Sequence, residues 1–342
     1  MAIFEDAINL FNQLKAKMSH VELMKIDYFD TFHKLVLPKY IPNCGDNKEA
    51  VIFIYKKLLT EIKTNHQDIY IKMHKGTAFY FIEWYSFLLK NYDQSVFYLD
   101  AAISEDKETH KAGDLWKRSG AAAFFLLNSN YTGHYEKYST SIPHDLVNEE
   151  INNFNTVFHE NISVNSFVSE FVEKMLVEEN TAIITTLYTF ILESKDISEM
   201  IELRSIHGGT IEPMVIHLFK GSIIFETLLK KTNKRPDGTD YTQLSGIFDK
   251  DGDKGSPFPS KYPEFQMVGG HVDKISDIIQ SLNEGNYKNN ISSAFNTVYK
   301  LRNSTAHKLS WDDIFNKDNY IMLYNQVILA ILYVIYKEYD LK

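Results

Sequence analysis

The feature that most restricts how this chain can fold is the recurrence of apolar side chains at helical spacing along most of its 342 residues. The first apolar face comprises Ile3, Ala7, Leu10, Phe11 and Leu14. Apolar positions three and four residues apart form a stripe on one side of an α-helix, whereas a half-buried strand alternates apolar and polar residues. We find no convincing run of such alternation. The sequence therefore predicts an all-α protein.

The N-terminal part is predicted to be an irregular helical array. A helix, a short turn at Asn91 and a second helix are expected across residues 79–106, and this hairpin resembles a single tetratricopeptide unit. Glu83 stands where that repeat has a glycine, Lys107 stands where it has a closing proline, and we find no second copy. A regular repeat array is therefore not expected.

Further helices are predicted at 115–127, 164–178 and 181–194. Residues 129–163 are rich in Asn, Ser, Thr, Tyr and Gly, and for them we expect a long, partly irregular connection. We place a domain boundary near residues 194–204. Residues 1–203 are then an N-terminal helical array that serves as a sensor or interaction domain.

Residues 204–342 are predicted to form a four-helix unit with one long insertion. Its helices are expected at 211–231, 271–284, 290–305 and 317–340. Pro213 lies in the first turn of the first helix, where a missing amide proton costs little. Residues 232–270 are rich in proline and glycine and are expected to form a long loop, of a length that usually carries function or is disordered.

Charge and composition restrict the classes of function and the compartment. Residues 1–203 carry 19 Lys and Arg against 29 Asp and Glu, a net of −10, while residues 204–342 carry 17 against 16, a net of +1. Only the C-terminal part is therefore expected to tolerate a nucleic-acid backbone. A single cysteine, Cys44, excludes a disulfide framework, and the twelve histidines show no metal-ligand spacing. We predict neither metal nor cofactor.

The expected compartment is the cytoplasm. The first twelve residues carry acids in place of the basic region of a secretory signal. The apolar stretch 320–336 is interrupted by Asn325 and Gln326, which favours a buried core helix over a membrane span. We therefore expect no membrane association.

One motif carries a chemical signal. Residues 299–307 end an amphipathic helix and contain Arg302, a polar Asn303, a small Ala306 and His307. An arginine followed by a polar residue, with a histidine four to six positions after the arginine, resembles the signature of HEPN domains, and here it lies in the penultimate predicted helix. The resemblance covers residues 204–342, with 232–270 as an insertion.

Helical geometry restricts how the motif can act. Successive residues rotate by about 100°, so Arg302 and His307 on a straight helix point about 140° apart. Asn303 and His307, four residues apart, share a face, and Asn303 can orient the imidazole. Arg302 and His307 converge only if the helix ends or bends near Ala306, or if a second subunit completes the site. HEPN proteins typically form dimers with both motifs in one cleft, and we expect a homodimer through the C-terminal domain. We expect surplus apolar side chains of the final predicted helix, among them Leu323, Ile328 and Leu332, to supply the contact.

The residue types indicate chemistry on RNA. A histidine moves protons near neutral pH, and a guanidinium holds the two non-bridging oxygens of a phosphodiester. RNA supplies its own nucleophile, the 2′-hydroxyl. The resemblance implies a metal-independent endoribonuclease that leaves a 2′,3′-cyclic phosphate, acting as a toxin or defence effector. It also implies a protein or small-molecule trigger sensed by the N-terminal domain.

A basic cluster just before Pro236 is a second candidate site. It comprises Lys230, Lys231, Lys234 and Arg235. These side chains either contact RNA phosphates or form a solvated helix end that the helix dipole favours. Two other functions stay open: a non-catalytic HEPN module that binds nucleotide or RNA or dimerises, and a helical scaffold that binds a peptide.

Overall fold

A computed structural model describes residues 2–19, 22, 26–109, 121, 126–127, 136–177, 180–203, 211–248, 256–269, 274–307 and 316–341, without the side chains of 109, 136–141, 177, 203 and 305–307. All regular elements in these ranges are helices, and the all-α prediction is confirmed. The chain divides into two compact units, residues 1–142 and 143–342. The predicted helix 115–127 lies largely outside the described residues.

The first unit contains four long helices among its described residues. Its described helices are α1 (Ala2–Lys17), α2 (Tyr28–Leu35), α3 (Leu37–Tyr40), a 3₁₀ turn (Cys44–Asp46), α4 (Lys48–Asn65), α5 (Gln67–Lys72), α6 (Gly76–Leu88) and α7 (Tyr92–Thr109). Helices α6 and α7 form the predicted hairpin, and α4 packs against α6. Lys90 adopts a φ of 59° in the turn, and Asn91 precedes α7. The hairpin's likeness to a tetratricopeptide unit stays a prediction.

The second unit contains the remaining described helices. They are α8 (Glu136–Phe158, which begins in the first unit), α9 (Val164–Phe167, a π-helical turn Val168–Val172 and Glu173–Val177), α10 (Thr181–Leu203), α11 (Glu212–Thr232), α12 (Leu244–Phe248), α13 (Phe258–Lys261), α14 (Ile275–Asn283), α15 (Asn290–His307) and α16 (Lys317–Glu338). Helix α16 packs against α10, α11 and α15, and α11 also packs against α15. Helix α14 packs on α15.

The prediction of a long, partly irregular connection at 129–163 is wrong, because Glu136–Phe158 is a helix of 23 residues. Its apolar residues at helical spacing are buried: Leu146, Val147, Ile151 and Phe154. Burial of this stripe outweighs the weak helix propensity of the Asn, Ser and Thr residues around it.

The domain boundary also differs from the one expected near 203, since the chain divides between Ile142 and Pro143. Helix α10, assigned by sequence to the N-terminal domain, packs instead on α11 and α16. Nε2 of His217 on α11 lies 2.8 Å from the carbonyl oxygen of Phe190 on α10, and its Nδ1 lies 3.0 Å from the Tyr320 hydroxyl on α16. The four long helices packed together are therefore α10, α11, α15 and α16, with the shorter α14 on α15.

Helix α16 is the central helix of the second unit. Of the apolar side chains expected to supply a dimer surface, Leu323, Ile328 and Leu332 are fully buried within the chain. The expectation that α16 has surplus apolar surface is therefore wrong, because three neighbouring helices cover it. Among the described residues, α16 alone is long and apolar enough to span a bilayer, and 67% of its most apolar stretch is buried.

The described residues of the 232–270 insertion contain two short helices, which the prediction of a long loop did not include. These helices are α12 and α13, and Phe248, Phe258 and Phe265 form an aromatic cluster with Phe295 of α15. Glu338 of α16 accepts hydrogen bonds from Lys261 at 2.7 Å and from Tyr262 at 2.9 Å. These contacts fasten the insertion to the helical core.

Candidate functional site

Arg302 lies where α15 contacts α11. Its neighbours Leu301 and Ser304 face the core, so Arg302 lies at the edge of the buried face with 34% of its side chain exposed. Two turns before Arg302 on α15, the Phe295 ring meets Phe225 of α11 edge to face, with ring centroids 4.8 Å apart. Nε of Arg302 donates to Oε2 of Glu226 at 2.9 Å. The packing of the two helices thus delivers the guanidinium to a carboxylate.

Glu226 joins the two candidate sites that the sequence indicates separately. Its second oxygen, Oε1, lies 2.5 Å from Nζ of Lys230, one turn later on α11. The carboxylate is 10% exposed. Burial alone would raise the pKa of Glu226, but the hydrogen bonds and charges of Lys230 and Arg302 outweigh burial, and the pKa lies below its ordinary value. Lys230, Glu226 and Arg302 therefore form one charged triad.

His307 is the last residue of α15, and the helix continues to it without a break at Ala306. The local bend that would bring His307 round to Arg302 is absent from this backbone. The side chain of His307 lies outside the described part of the structure, and Asn303 is half-buried.

The other basic residues lie in or beyond the last turn of α11. Lys231 is half-buried, and Lys234 forms an ion pair with Asp240. The guanidinium of Arg235 lies over the Tyr241 ring, 5.5 Å from its centroid. Lys230 shares its partner Glu226 with Arg302, away from the contacts of Lys234 and Arg235. The predicted cluster is therefore divided between two places.

The insertion runs along α15 toward the motif. The amide of Gln266 donates to Ser292, and Asn296 both accepts from the amide of Val268 and donates to the carbonyl of Gln266, at 2.8 to 2.9 Å. A Cβ built on Gly269 would lie 3.8 Å from Nζ of Lys300, two residues before Arg302. The end of this segment therefore borders the turn of α15 that carries the motif.

Glu226 was missed by sequence reasoning. It lies among Phe225, Leu228 and Leu229 on the buried face of α11, and an acid within an apolar stripe usually has a partner. This position within the apolar stripe could have indicated from the sequence alone that Glu226 has a buried partner. The partner itself, Arg302 on α15, could not be predicted from the sequence, because 76 residues separate it from Glu226.

A second group of titratable side chains lies deeper in the second unit. Tyr324 of α16 donates to Oε1 of Glu150 on α8 at 2.9 Å, and burial raises the pKa of Glu150 to about 7. His217 is 3% exposed. These hydrogen bonds pair polar groups that are buried inside the helical core, so their role is structural.

The first unit has its own charged cluster around His74. Its Nδ1 and Nε2 lie 3.3 Å from carboxylate oxygens of Asp27 and Asp106. Burial alone would lower the pKa of His74, but the two carboxylates raise it to about 9. A Cβ on Gly76 would lie 2.6 Å from the imidazole, so a glycine is needed beside it. The cluster ties α7 to the segments before α2 and α6.

Among the described residues, no three His, Cys, Asp or Glu side chains are placed to hold one metal ion. A scan against protein-family models, a search of curated proteins and a search of solved structures found no match to this chain.

Proposed function

We propose that this protein is a metal-independent endoribonuclease of the HEPN type. The observation that carries the proposal is the placement of Arg302 and His307 on the last two turns of α15, the penultimate described helix, with the Arg302 side chain partly exposed. Arg302 binds the non-bridging oxygens of a phosphodiester and stabilises the charge that develops there. Asn303, four residues before His307, orients its imidazole.

In the proposed reaction the 2′-oxygen of RNA forms a bond to phosphorus as the bond to the 5′-oxygen breaks. His307 takes the proton of the 2′-hydroxyl, and a protonated histidine returns a proton to the leaving 5′-oxygen. The products are a 2′,3′-cyclic phosphate and a 5′-hydroxyl. Water and metal take no part in this step.

A homodimer completes the proposed site. The continuous helical course of α15 to His307 supports this, because two positions five residues apart on one ideal helix lie about 140° apart around its axis. Helix α11 carries Ile216 and Ile223 seven residues apart, 53% and 43% exposed, with Ile223 one turn before Glu226. An exposed apolar pair beside the charged triad suits a two-fold contact that faces two motifs toward each other.

The proposed setting is a cytoplasmic toxin or defence effector. In that setting the first unit senses a protein or small-molecule trigger. A non-catalytic HEPN module that binds RNA or nucleotide is the alternative, which needs only the two cations beside Glu226 and no proton transfer by His307.

The deciding experiment incubates the purified protein with a labelled oligoribonucleotide in EDTA. We expect cleavage with cyclic-phosphate ends, and a loss of about 10²–10⁴-fold in His307→Ala, the usual cost of removing a general acid–base. Wild-type RNA binding without cleavage would favour the non-catalytic module. Cleavage that EDTA stops, or that His307→Ala retains in full, would contradict the assignment.

A further inference from the structure

The contact between α11 and α15 places a negative charge between two positive ones. We propose that Glu226 is a positioning residue, whose carboxylate holds Arg302 by Nε and Lys230 by Nζ so that both cations bind the scissile phosphodiester of RNA. This inference rests on the proposed function, and it adds Lys230 and Glu226 to the site. The sequence had placed Lys230 in a separate surface cluster.

The donor inventory supports this arrangement. A guanidinium has five N–H groups, and Glu226 takes the one on Nε. No described residue accepts from the four N–H groups on Nη1 and Nη2, which form the fork that fits a phosphate. Lys230 donates to Glu226 and, at 3.1 Å, to the carbonyl of Thr242. An ammonium has three N–H groups, so one remains for a ligand.

Burial and charge support it as well. The Glu226 carboxylate is 10% exposed, while Arg302 and Lys230 are 34% and 26% exposed, so the acid lies beneath the two cations. Two positive charges and one negative leave a net of +1, which still attracts a phosphate. Fixing a long arginine side chain in advance also removes rotamer entropy that substrate binding would otherwise cost.

Two other roles for Glu226 make opposite predictions. A latch that keeps Arg302 from substrate would be released by Glu226→Gln, and cleavage would accelerate. A merely structural ion pair would change the stability and leave turnover unchanged. Positioning predicts something else: the variant removes one negative charge, so RNA binds as tightly or more tightly, but turnover falls because the guanidinium is no longer held.

The experiment measures kcat and KM on a labelled oligoribonucleotide for wild type, Glu226→Gln and Glu226→Ala. We expect kcat to fall about 10-fold in the glutamine variant, which keeps a hydrogen-bond acceptor, and about 100-fold in the alanine variant, with KM unchanged or lower. The matched control is Glu338→Gln, which changes a buried carboxylate that accepts from Lys261 and Tyr262 and, at 3.4 Å, from Asn233. Its kcat should equal that of wild type.

A wild-type kcat, or a higher one, in both Glu226 variants would overturn the inference while cleavage by the wild type upholds the ribonuclease. Binding of a 2′-deoxy oligonucleotide, which cannot be cleaved, keeps the two proposals separate. We expect Arg302→Ala and Lys230→Ala each to weaken that binding, measured by fluorescence anisotropy. A wild type that does not cleave but binds in this Arg302- and Lys230-dependent way would refute the ribonuclease and support the phosphate site. Binding that neither variant weakens would refute the site itself.

Discussion

Gly221 is the position at which one added methyl group tests the packing of the second unit most directly. It lies in the middle of α11, and a Cβ built there would lie 2.5 Å from Cγ1 of Val327 and 2.6 Å from Cζ of Phe190. Both side chains are fully buried. Non-bonded carbon atoms prefer about 3.5–4.0 Å, so the methyl of Gly221→Ala would overlap each neighbour by about 1 Å.

Two opposing effects set the expected magnitude. Overpacking a buried site costs about 1–3 kcal/mol, and a rigid ring and a branched valine place this site at the upper end. Alanine in place of glycine returns about 1 kcal/mol of helix propensity. We therefore expect the free energy of unfolding of the second unit to fall by about 2 kcal/mol, or about 4–8 °C in melting temperature for a unit of this size.

The measurement is urea unfolding followed by far-ultraviolet circular dichroism, with hydrogen exchange of peptides from α11 and α16 to locate the loss. The matched control is Gly246→Ala in α12, where a Cβ would meet its nearest neighbour, a Tyr241 ring carbon, at 3.4 Å. This variant should be neutral or slightly more stable. A Gly221→Ala protein as stable as wild type would show that α10, α11 and α16 are not packed as closely as described.

Three further predictions concern other parts of the chain. Protonated His74 stabilises the first unit fully below its unfolded pKa of about 6.5, and this stabilisation is lost as the pH rises through the folded pKa of about 9. Because solvent screens this partly exposed cluster, we expect it to contribute about 1–2 kcal/mol to the free energy of unfolding, and His74→Gln should abolish the pH dependence in chemical unfolding of the first unit. A double variant of Lys234 and Arg235 to alanine should weaken RNA binding at all sequences and flatten its salt dependence, and an unchanged slope returns them to ordinary surface. Changing Ile216 and Ile223 to lysine should convert the proposed dimer to a monomer in light scattering and abolish cleavage; a monomeric wild type that cleaves RNA would contradict the two-fold site.

Helix formation in this protein was largely determined by the sequence, because apolar spacing is a local property. The predicted helices 211–231, 290–305 and 317–340 correspond closely to α11, α15 and α16. The prediction from amino-acid composition was wrong where local helix propensity and burial favour different conformations. In α8 residues that favour turns are frequent, but burial of the apolar stripe around Ile151 and Phe154 stabilises the helix.

The candidate site divides in the same way. Arg302, Asn303 and His307 were readable as a motif because they lie within six residues of one helix. The triad was not readable, because Glu226 meets Arg302 only when α11 and α15 pack together, with the ring contact of Phe225 and Phe295 beside them. The membership of α10 in the second unit is likewise a tertiary outcome. A sequence pattern shows which face of a helix is buried. Which other helix covers that face depends on the packing of side chains that are distant along the chain.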